Sequence, residues 1–309
     1  MVFLILIDIL ILAVTILGLW FGASWVVDSA SKIAKQFGLS DLVIGLTIVA
    51  IATSSPEFAV TISAALRDQH AISVGNVIGS NIFNLGIILG LISIFSPVKI
   101  SKSLLFRDGS LLVGTGFLLL IFFYDLVLSQ VEGIILFIIL VAYIVILIKQ
   151  KQDIEEEIPE DNFKFWDVPI FILGVATIII SANYLVDSAS NIARYFGISE
   201  WLIGITIVAG GTSMPEFATS VVALHKRKHG ISAGNLIGSD LFNMLGVLGI
   251  AALLKPLSLE SSEFLSLVLL SITLVIIFIM MRTGWKISKI EGILLIAIAI
   301  FRWGYDFIF

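Results

Sequence analysis

The chain has 309 residues, 59% of them hydrophobic and 13% charged, with a mean hydropathy of +1.11 and a formal net charge of −5. A water-soluble protein of this size needs more polar surface than that, so composition places the bulk of the chain in a lipid bilayer. With no cysteine and only His70, His225 and His229, disulfides and sulfur-ligated metals are excluded and a transition-metal centre has little to draw on.

Apolar runs and the breakers between them predict ten membrane-spanning helices, at residues 3–23, 42–66, 71–95, 107–124, 131–149, 167–186, 201–224, 231–254, 264–281 and 290–308. About 18 residues suffice to cross a hydrocarbon core of roughly 30 Å at ~1.5 Å per residue. The first run lacks a basic leader and a small-residue cleavage site, and is read as a retained span. Asp28-Ser29 after it, and Asp187-Ser188 after the sixth span, are expected to cap short amphipathic helices. Pro97 and Pro256 close the third and eighth helices. The acidic run Asp153-Ile-Glu-Glu-Glu157, with Glu160 and Asp161, lacks the glycine and alternating ligands of an EF-hand loop and reads as a solvated linker. The expected organisation is a first five-helix repeat at 1–149, a linker at 150–166 and a second five-helix repeat at 167–309.

Basic residues orient the helices. With the N-terminus outside, the cytoplasmic loops hold most of them, including Lys99, Lys102, Arg107, Lys226, Arg227, Lys228, Arg282 and Lys286. The other side keeps only Arg67, Arg194, Lys255 and Arg302. This asymmetry obeys the positive-inside rule and predicts a multi-pass cell-membrane protein with both termini extracellular.

An internal duplication is the strongest feature. Residues 28–97 align with 187–256 without a gap, at a constant offset of 159 and with about half the positions identical. Thr47-Ile-Val-Ala-Ile-Ala-Thr-Ser-Ser-Pro-Glu-Phe58 matches Thr206-Ile-Val-Ala-Gly-Gly-Thr-Ser-Met-Pro-Glu-Phe217. Gly75-Asn-Val-Ile-Gly-Ser-Asn-Ile-Phe-Asn84 matches Gly234-Asn-Leu-Ile-Gly-Ser-Asp-Leu-Phe-Asn243. Five spans per copy is an odd number, so the second copy enters the membrane from the opposite side. The expected fold class is therefore an all-α membrane protein whose ten transmembrane helices form two inverted-topology five-helix repeats. Such halves suit alternating access to one midplane site.

Glu57 and Glu216 fall near the middle of the second and seventh helices, where an ionisable group costs at least about 2.5–3.5 kcal/mol and implies function. No basic residue lies at comparable depth, which leaves a dissolved cation as counter-charge. Pro56 and Pro215 precede them and should open the helix, freeing carbonyls around Ala50–Thr53 and Ala209–Thr212. Thr53 and Glu57 share a helix face, as do Ser80 and Asn84 and their repeat mates. The Gly75-x-x-x-Gly79 and Gly234-x-x-x-Gly238 steps let these faces approach. Carboxylates, hydroxyls, amides and carbonyls without sulfur or imidazole suit hard cations, calcium above magnesium, with sodium able to use the same oxygens.

At these two segments the sequence strongly resembles the sodium/calcium exchanger family of the cation/calcium exchanger superfamily. That family carries inverted alpha-repeats with G-T-S-x-P-E and G-N-x-x-G-S-x-x-x-N cores. The likeness covers nearly the whole chain. The short central loop matches the prokaryotic type, being too small for the regulatory calcium-binding domains of long members.

The resemblance implies that Glu57 and Glu216 are the central calcium ligands, completed by backbone oxygens of Thr53 and Thr212. Ala50, Thr53 and Ser80 would line one flanking sodium site, and Ala209, Thr212 and Ser239 the other, with Asn84 and Asn243 at the centre. The implied activity is secondary Na+/Ca2+ antiport by alternating access, with the first and sixth helices sliding as gates. It implies no enzyme activity, no cofactor beyond the transported ions, no nucleic acid and no protein partner.

Three departures from the family pattern stand out. Ala52 replaces a glycine of the first core. Asn243 stands where potassium-dependent relatives carry aspartate, which implies potassium independence. Asp240 replaces the asparagine seen as Asn81 and, about 100° around the helix from Ser239, is expected to be peripheral.

Three other functions fit less well. A calcium/proton antiporter would use the same carboxylates, with protons in place of sodium, but Ser80 and Ser239 resemble sodium ligands. A cation channel would surround an axial pore with symmetric subunits. A hydrolase lacks its parts, since no H-E-x-x-H element or serine-histidine pair is present.

Overall fold

The computed structural model describes residues 2–150, 163–198, 207 and 209–308. The predicted linker run 153–161 and most of residues 199–208 lie outside them. In chain order the helices are α1 (Val2–Phe37), α2 (Asp41–Thr53), α3 (Ser55–Leu66), α4 (His70–Phe95), α5 (Leu104–Asp125) and α6 (Gln130–Lys149). They continue as α7 (Asp167–Tyr195), α8 (Ala209–Gly211), α9 (Met214–His225), α10 (His229–Leu254), α11 (Ser261–Arg282) and α12 (Lys289–Ile308). Among the described residues seven helices are long and apolar enough to cross a membrane, and the bent pair α2–α3 brings the number to eight.

The first helix corrects an expectation. Asp28 and Asp187 do not cap separate amphipathic helices; α1 runs unbroken for 36 residues and α7 for 29, each through its aspartate. No glycine or proline interrupts residues 23–37, so the apolar span and the amphipathic stretch propagate as one helix. Gly38 stops it, with φ at +64°, a conformation that costs glycine little. At ~1.5 Å per residue α1 is about 54 Å long, more than the hydrocarbon core needs, so it tilts or projects beyond that core.

Inside and outside are reversed relative to a soluble protein. The apolar windows of α4 and α10 are 72% and 83% buried, whereas those of α1, α6 and α7 are only 17%, 28% and 28%. The outer helices present Leu10, Ile121, Ile138 and Leu173 to the surroundings, as lipid-facing helices do. Polar groups collect in the middle instead, where α2, α3, α4, α9 and α10 meet. Gly234 and Gly238 make that meeting close. A Cβ on Gly238 would fall 2.7 Å from Leu46 Cα, and one on Gly234 2.7 Å from the Leu42 carbonyl. The small-residue step expected from sequence is thus used by α10 against α2.

The helix ends are tied in two groups. At one end the strands β1 (Val98–Lys99) and β4 (Lys286–Ile287) pair antiparallel, so the fold is not helical throughout. Here too Lys226 Nζ meets Asp28 at 2.6 Å, Lys228 meets Asp41 at 3.2 Å and Lys32 meets Asp167 at 3.4 Å. At the other end β2 (Val127–Leu128) pairs with β3 (Leu257–Ser258). Lys255 lies 2.6 Å from Asp68 there, and its hydrogen bond holds that carboxyl below its ordinary value.

Candidate cation-binding site

The two carboxylates sit at parallel breaks. The second span bends by 49° at Ser54, between α2 and α3. Pro56 has no N–H to give the Ala52 carbonyl, and Ser55 Oγ donates to that oxygen instead at 2.8 Å. Glu57 follows in the first turn of α3, and Glu216 in the first turn of α9 after Ser213 and Pro215. Both are completely buried. Each helix N-terminus directs backbone dipoles that favour negative charge at that turn.

The halves hold each other's glutamate. Ser54 Oγ donates to Glu216 Oε1 at 2.9 Å, and Ser213 Oγ lies 3.4 Å from Glu57 Oε1. Asn76 Nδ2 donates to the Glu57 carbonyl at 3.2 Å and to Thr61 Oγ1 at 3.0 Å. Its mate Asn235 does the same to the Glu216 carbonyl at 3.3 Å and Ser220 Oγ at 3.0 Å. Sequence reasoning did not single out Ser54, Ser213, Asn76 or Asn235. Their signal was available, since each is a polar residue kept identical in both repeats.

Most of the expected ligands converge here. Thr53 is buried, and its hydroxyl lies 3.3 Å from the Ala50 carbonyl, 3.0 Å from Asn235 Oδ1 and 3.4 Å from Ser239 Oγ. Ser239 Oγ in turn lies 3.5 Å from the Ala50 carbonyl, so one end of the site joins α2 to α10. Ser80 donates to the Asn76 carbonyl at 2.8 Å and stands 3.4 Å from Asn243 Nδ2. Thr212 is half-buried beside Glu57. Ala209 begins the short helix α8, three residues before Thr212.

Asn84 and Asn243 lie at wide turns, where the chain bonds five residues apart over Phe83–Ile88 and Phe242–Val247. Such turns inside helices recur at functional sites. Asn84 Nδ2 donates to Asp240 Oδ1 at 3.0 Å, and Asp240 is completely buried. The expectation that Asp240 is peripheral is therefore wrong. A helical wheel of α10 alone does not register that α4 packs against it at this position, through Asn84.

What remains unpaired defines the chemistry. Glu57 Oε2, Glu216 Oε2, Asn84 Oδ1 and Asn243 Oδ1 are buried acceptors with no hydrogen-bond donor among the described residues. They form two repeat-related pairs. A buried acceptor left without a partner costs about 1–3 kcal/mol, more if charged, so four at one place call for a cation. Among the described residues no Lys or Arg forms an ion pair with either glutamate. Nor do three His, Cys, Asp or Glu side chains close into a cage there. The donor set is a carboxylate pair plus neutral oxygens, and it fits a hard cation of calcium or sodium size.

The comparisons with known proteins agree with this chemistry. The family described as "Sodium/calcium exchanger protein" matches residues 7–149 and 166–302. The chain is 32% identical over 318 residues to the "Putative antiporter CaxA" of Alkalimonas amylolytica, covering 97% of each. It is also 32% identical over 331 residues to the "Sodium/calcium exchanger MaX1" of Methanosarcina acetivorans, covering 91% of this chain and 94% of that one. A solved structure of the sodium-calcium exchanger NCX_Mj superposes with a TM-score of 0.83 at 30% identity, over 97% of this chain and 98% of its own. With both repeats matched and the fold shared end to end, the chain belongs to the sodium/calcium exchanger protein family.

Proposed function

We propose that this protein is a secondary antiporter that exchanges Na+ for Ca2+ across the cell membrane by alternating access, without potassium. One observation carries the reading: two fully buried glutamates, one from each repeat, with four repeat-related oxygens left without donors. Calcium between Glu57 and Glu216 neutralises both carboxylates and takes the free oxygens of Asn84 and Asn243. Sodium ions use the flanking oxygens instead, at Ala50, Thr53 and Ser80 on one side and at Ala209, Thr212 and Ser239 on the other. Because the two loads compete for the same carboxylates, one gradient drives the other.

The architecture proposed for this exchange has ten spans in two inverted repeats, residues 1–149 and 167–309, joined by the linker 150–166, with both termini outside. The end-to-end grouping of contacts supports it. Lys226 with Asp28, Lys228 with Asp41 and β1 with β4 join segments assigned to the cytoplasmic side. Lys255 with Asp68 and β2 with β3 join segments assigned to the outside. Glycines let α1 and α7 pack backbone to backbone, with a Cβ on Gly22 only 3.0 Å from the Gly174 carbonyl. The pair can then slide as a unit past the site. Bare carboxylates resist passage through an apolar barrier, so only loaded states move readily.

The test is radioactive calcium uptake into sodium-loaded proteoliposomes, with external sodium removed and pH clamped. Uptake that requires internal sodium and no potassium supports the reading. Uptake driven by a proton gradient instead refutes sodium coupling and moves the protein to the proton-coupled branch.

A further inference from the structure

The helix pair α1–α7 meets the two halves of the site unequally. α1 packs along α9 at the end that carries Lys226, whereas α7 makes at most slight contact with the repeat-related helix α3. Exposure follows the same division. Ala218, Thr219 and Val222 on α9 are buried, while their mates Ala59, Val60 and Ser63 on α3, each 159 residues earlier, are exposed.

The polar ties divide in the same way. Lys32 of α1 meets Asp167 of α7 at 3.4 Å, and the repeat-related Asn191 of α7 donates to Asp8 of α1 at 3.3 Å. Contact within the pair is therefore made at both ends. The tie from the pair to the site helices is made at one end only. Lys226, just past α9, lies 2.6 Å from Asp28 on α1 and donates to the Ser24 carbonyl at 3.3 Å. The repeat mates of Lys226 and Asp28 are Arg67, just past α3, and Asp187 on α7. They keep the same charges and are both exposed, yet they form no ion pair among the described residues. An ion pair written twice in the sequence and made once in the structure marks a contact that changes with conformation.

Inverted repeats exchange roles when one bundle rocks against the other. With the alternating-access reading above as premise, which this deepens, we infer that Arg67 and Asp187 are the latch of the opposite state. When the site opens to the cytoplasm, α7 closes over α3 and Arg67 pairs with Asp187, while Lys226 parts from Asp28 and α9 is uncovered. The structure described here is the outward-open state. One ion pair is traded for another, so each open state keeps a tie on its closed side.

The experiment introduces Ser63→Cys or Val222→Cys, one at a time, into a chain that has no cysteine of its own. A membrane-impermeant thiol reagent is applied from outside for Ser63→Cys and from the cytoplasmic side for Val222→Cys. The ratio of the two labelling rates follows the outward-to-inward population ratio, whichever state predominates. Arg67→Ala and Asp187→Ala should each raise that ratio by about two- to fivefold, the range of a partly exposed ion pair. Asp28→Ala should lower it by a similar factor. The exchanged pair Arg67→Asp/Asp187→Arg should restore the wild-type ratio, which separates pairing from a general effect of surface charge. Ratios unchanged or lowered in Arg67→Ala and Asp187→Ala overturn the proposal, as does an exchanged pair that fails to restore them. Val222→Cys that stays unlabelled from the cytoplasmic side while uptake proceeds overturns it too. Sodium-driven calcium uptake is measured separately; its absence in the wild type refutes the exchange reading, while the labelling ratio decides this one.

Discussion

Replacing Gly238 by alanine tests whether helix spacing sets the ion site. An added Cβ would stand 2.7 Å from both Leu46 Cα and Leu46 O and 2.9 Å from Ala50 Cβ. Two of those atoms are backbone and cannot rotate away. Ordinary contact begins near 3.4 Å, so α10 must recede from α2 by roughly 0.7 Å. That shift falls beside the Ala50 carbonyl and Ser239, which now lie 3.5 Å apart. Calcium–oxygen distances span only about 2.3–2.6 Å, so a displacement of this size removes ligands from reach. Overpacking of a tight contact costs about 1–3 kcal/mol. If the loaded state bears that cost, half-saturation rises roughly 5- to 150-fold. The assay is sodium-dependent calcium uptake over a range of calcium, with thermal unfolding followed in the same detergent. Gly114→Ala on the exposed face of α5, where a Cβ meets nothing within 4 Å, is the control. Gly238→Ala with wild-type half-saturation for both ions and an unchanged unfolding temperature would refute the reasoning.

Glu57→Gln and Glu216→Gln should each abolish sodium-driven calcium uptake while leaving the far-ultraviolet circular dichroism and elution volume unchanged; either variant exchanging at the wild-type rate sinks the site assignment. Ser54→Ala removes a 2.9 Å hydrogen bond to Glu216, whereas Ser213→Ala removes a 3.4 Å contact to Glu57. Hydrogen bonds to charged groups contribute about 1.5–3 kcal/mol, so Ser54→Ala should weaken calcium half-saturation by about tenfold or more and Ser213→Ala by less, with equal effects counting against the geometry. Lys226→Ala breaks the partly exposed pair with Asp28, worth about 1 kcal/mol or less. It should raise cytoplasmic accessibility of the site up to about fivefold, read from labelling of one introduced cysteine in a chain that has none of its own.

The parts of the site that were legible in the sequence are those written twice. Glu57 and Glu216, the prolines before them and the Ser80 and Asn84 steps all repeat at a fixed offset, and their depth in apolar runs marks them as costly. The break was legible too, because proline removes a specific hydrogen bond, and α2 ends at Thr53 as that loss requires. Local rules failed where tertiary packing decides. Asp28 looks like a helix cap because aspartate-serine pairs often are, yet nothing nearby stops α1, and the aspartate serves instead as partner to Lys226. Asp240 was misplaced because a helical wheel around one helix says nothing of what surrounds it on the other faces. Asn76 and Asn235 stood in the repeated segments too, but that they join the glutamate carbonyls to Thr61 and Ser220 is decided by how the helices pack.

The crossed serines bear on how such a protein is made. Glu57 is held by Ser213 and Glu216 by Ser54, so each acid takes a hydroxyl donor from the other half. During synthesis α1 to α6 leave the ribosome well before α9 exists. Through that interval Glu57 and Asn84 must remain hydrated or rest against the insertion machinery. Completion of the ion site is then a late event in biogenesis, and damage to the second half should expose an unpartnered acid in the first, a mark by which quality control can recognise an unfinished carrier.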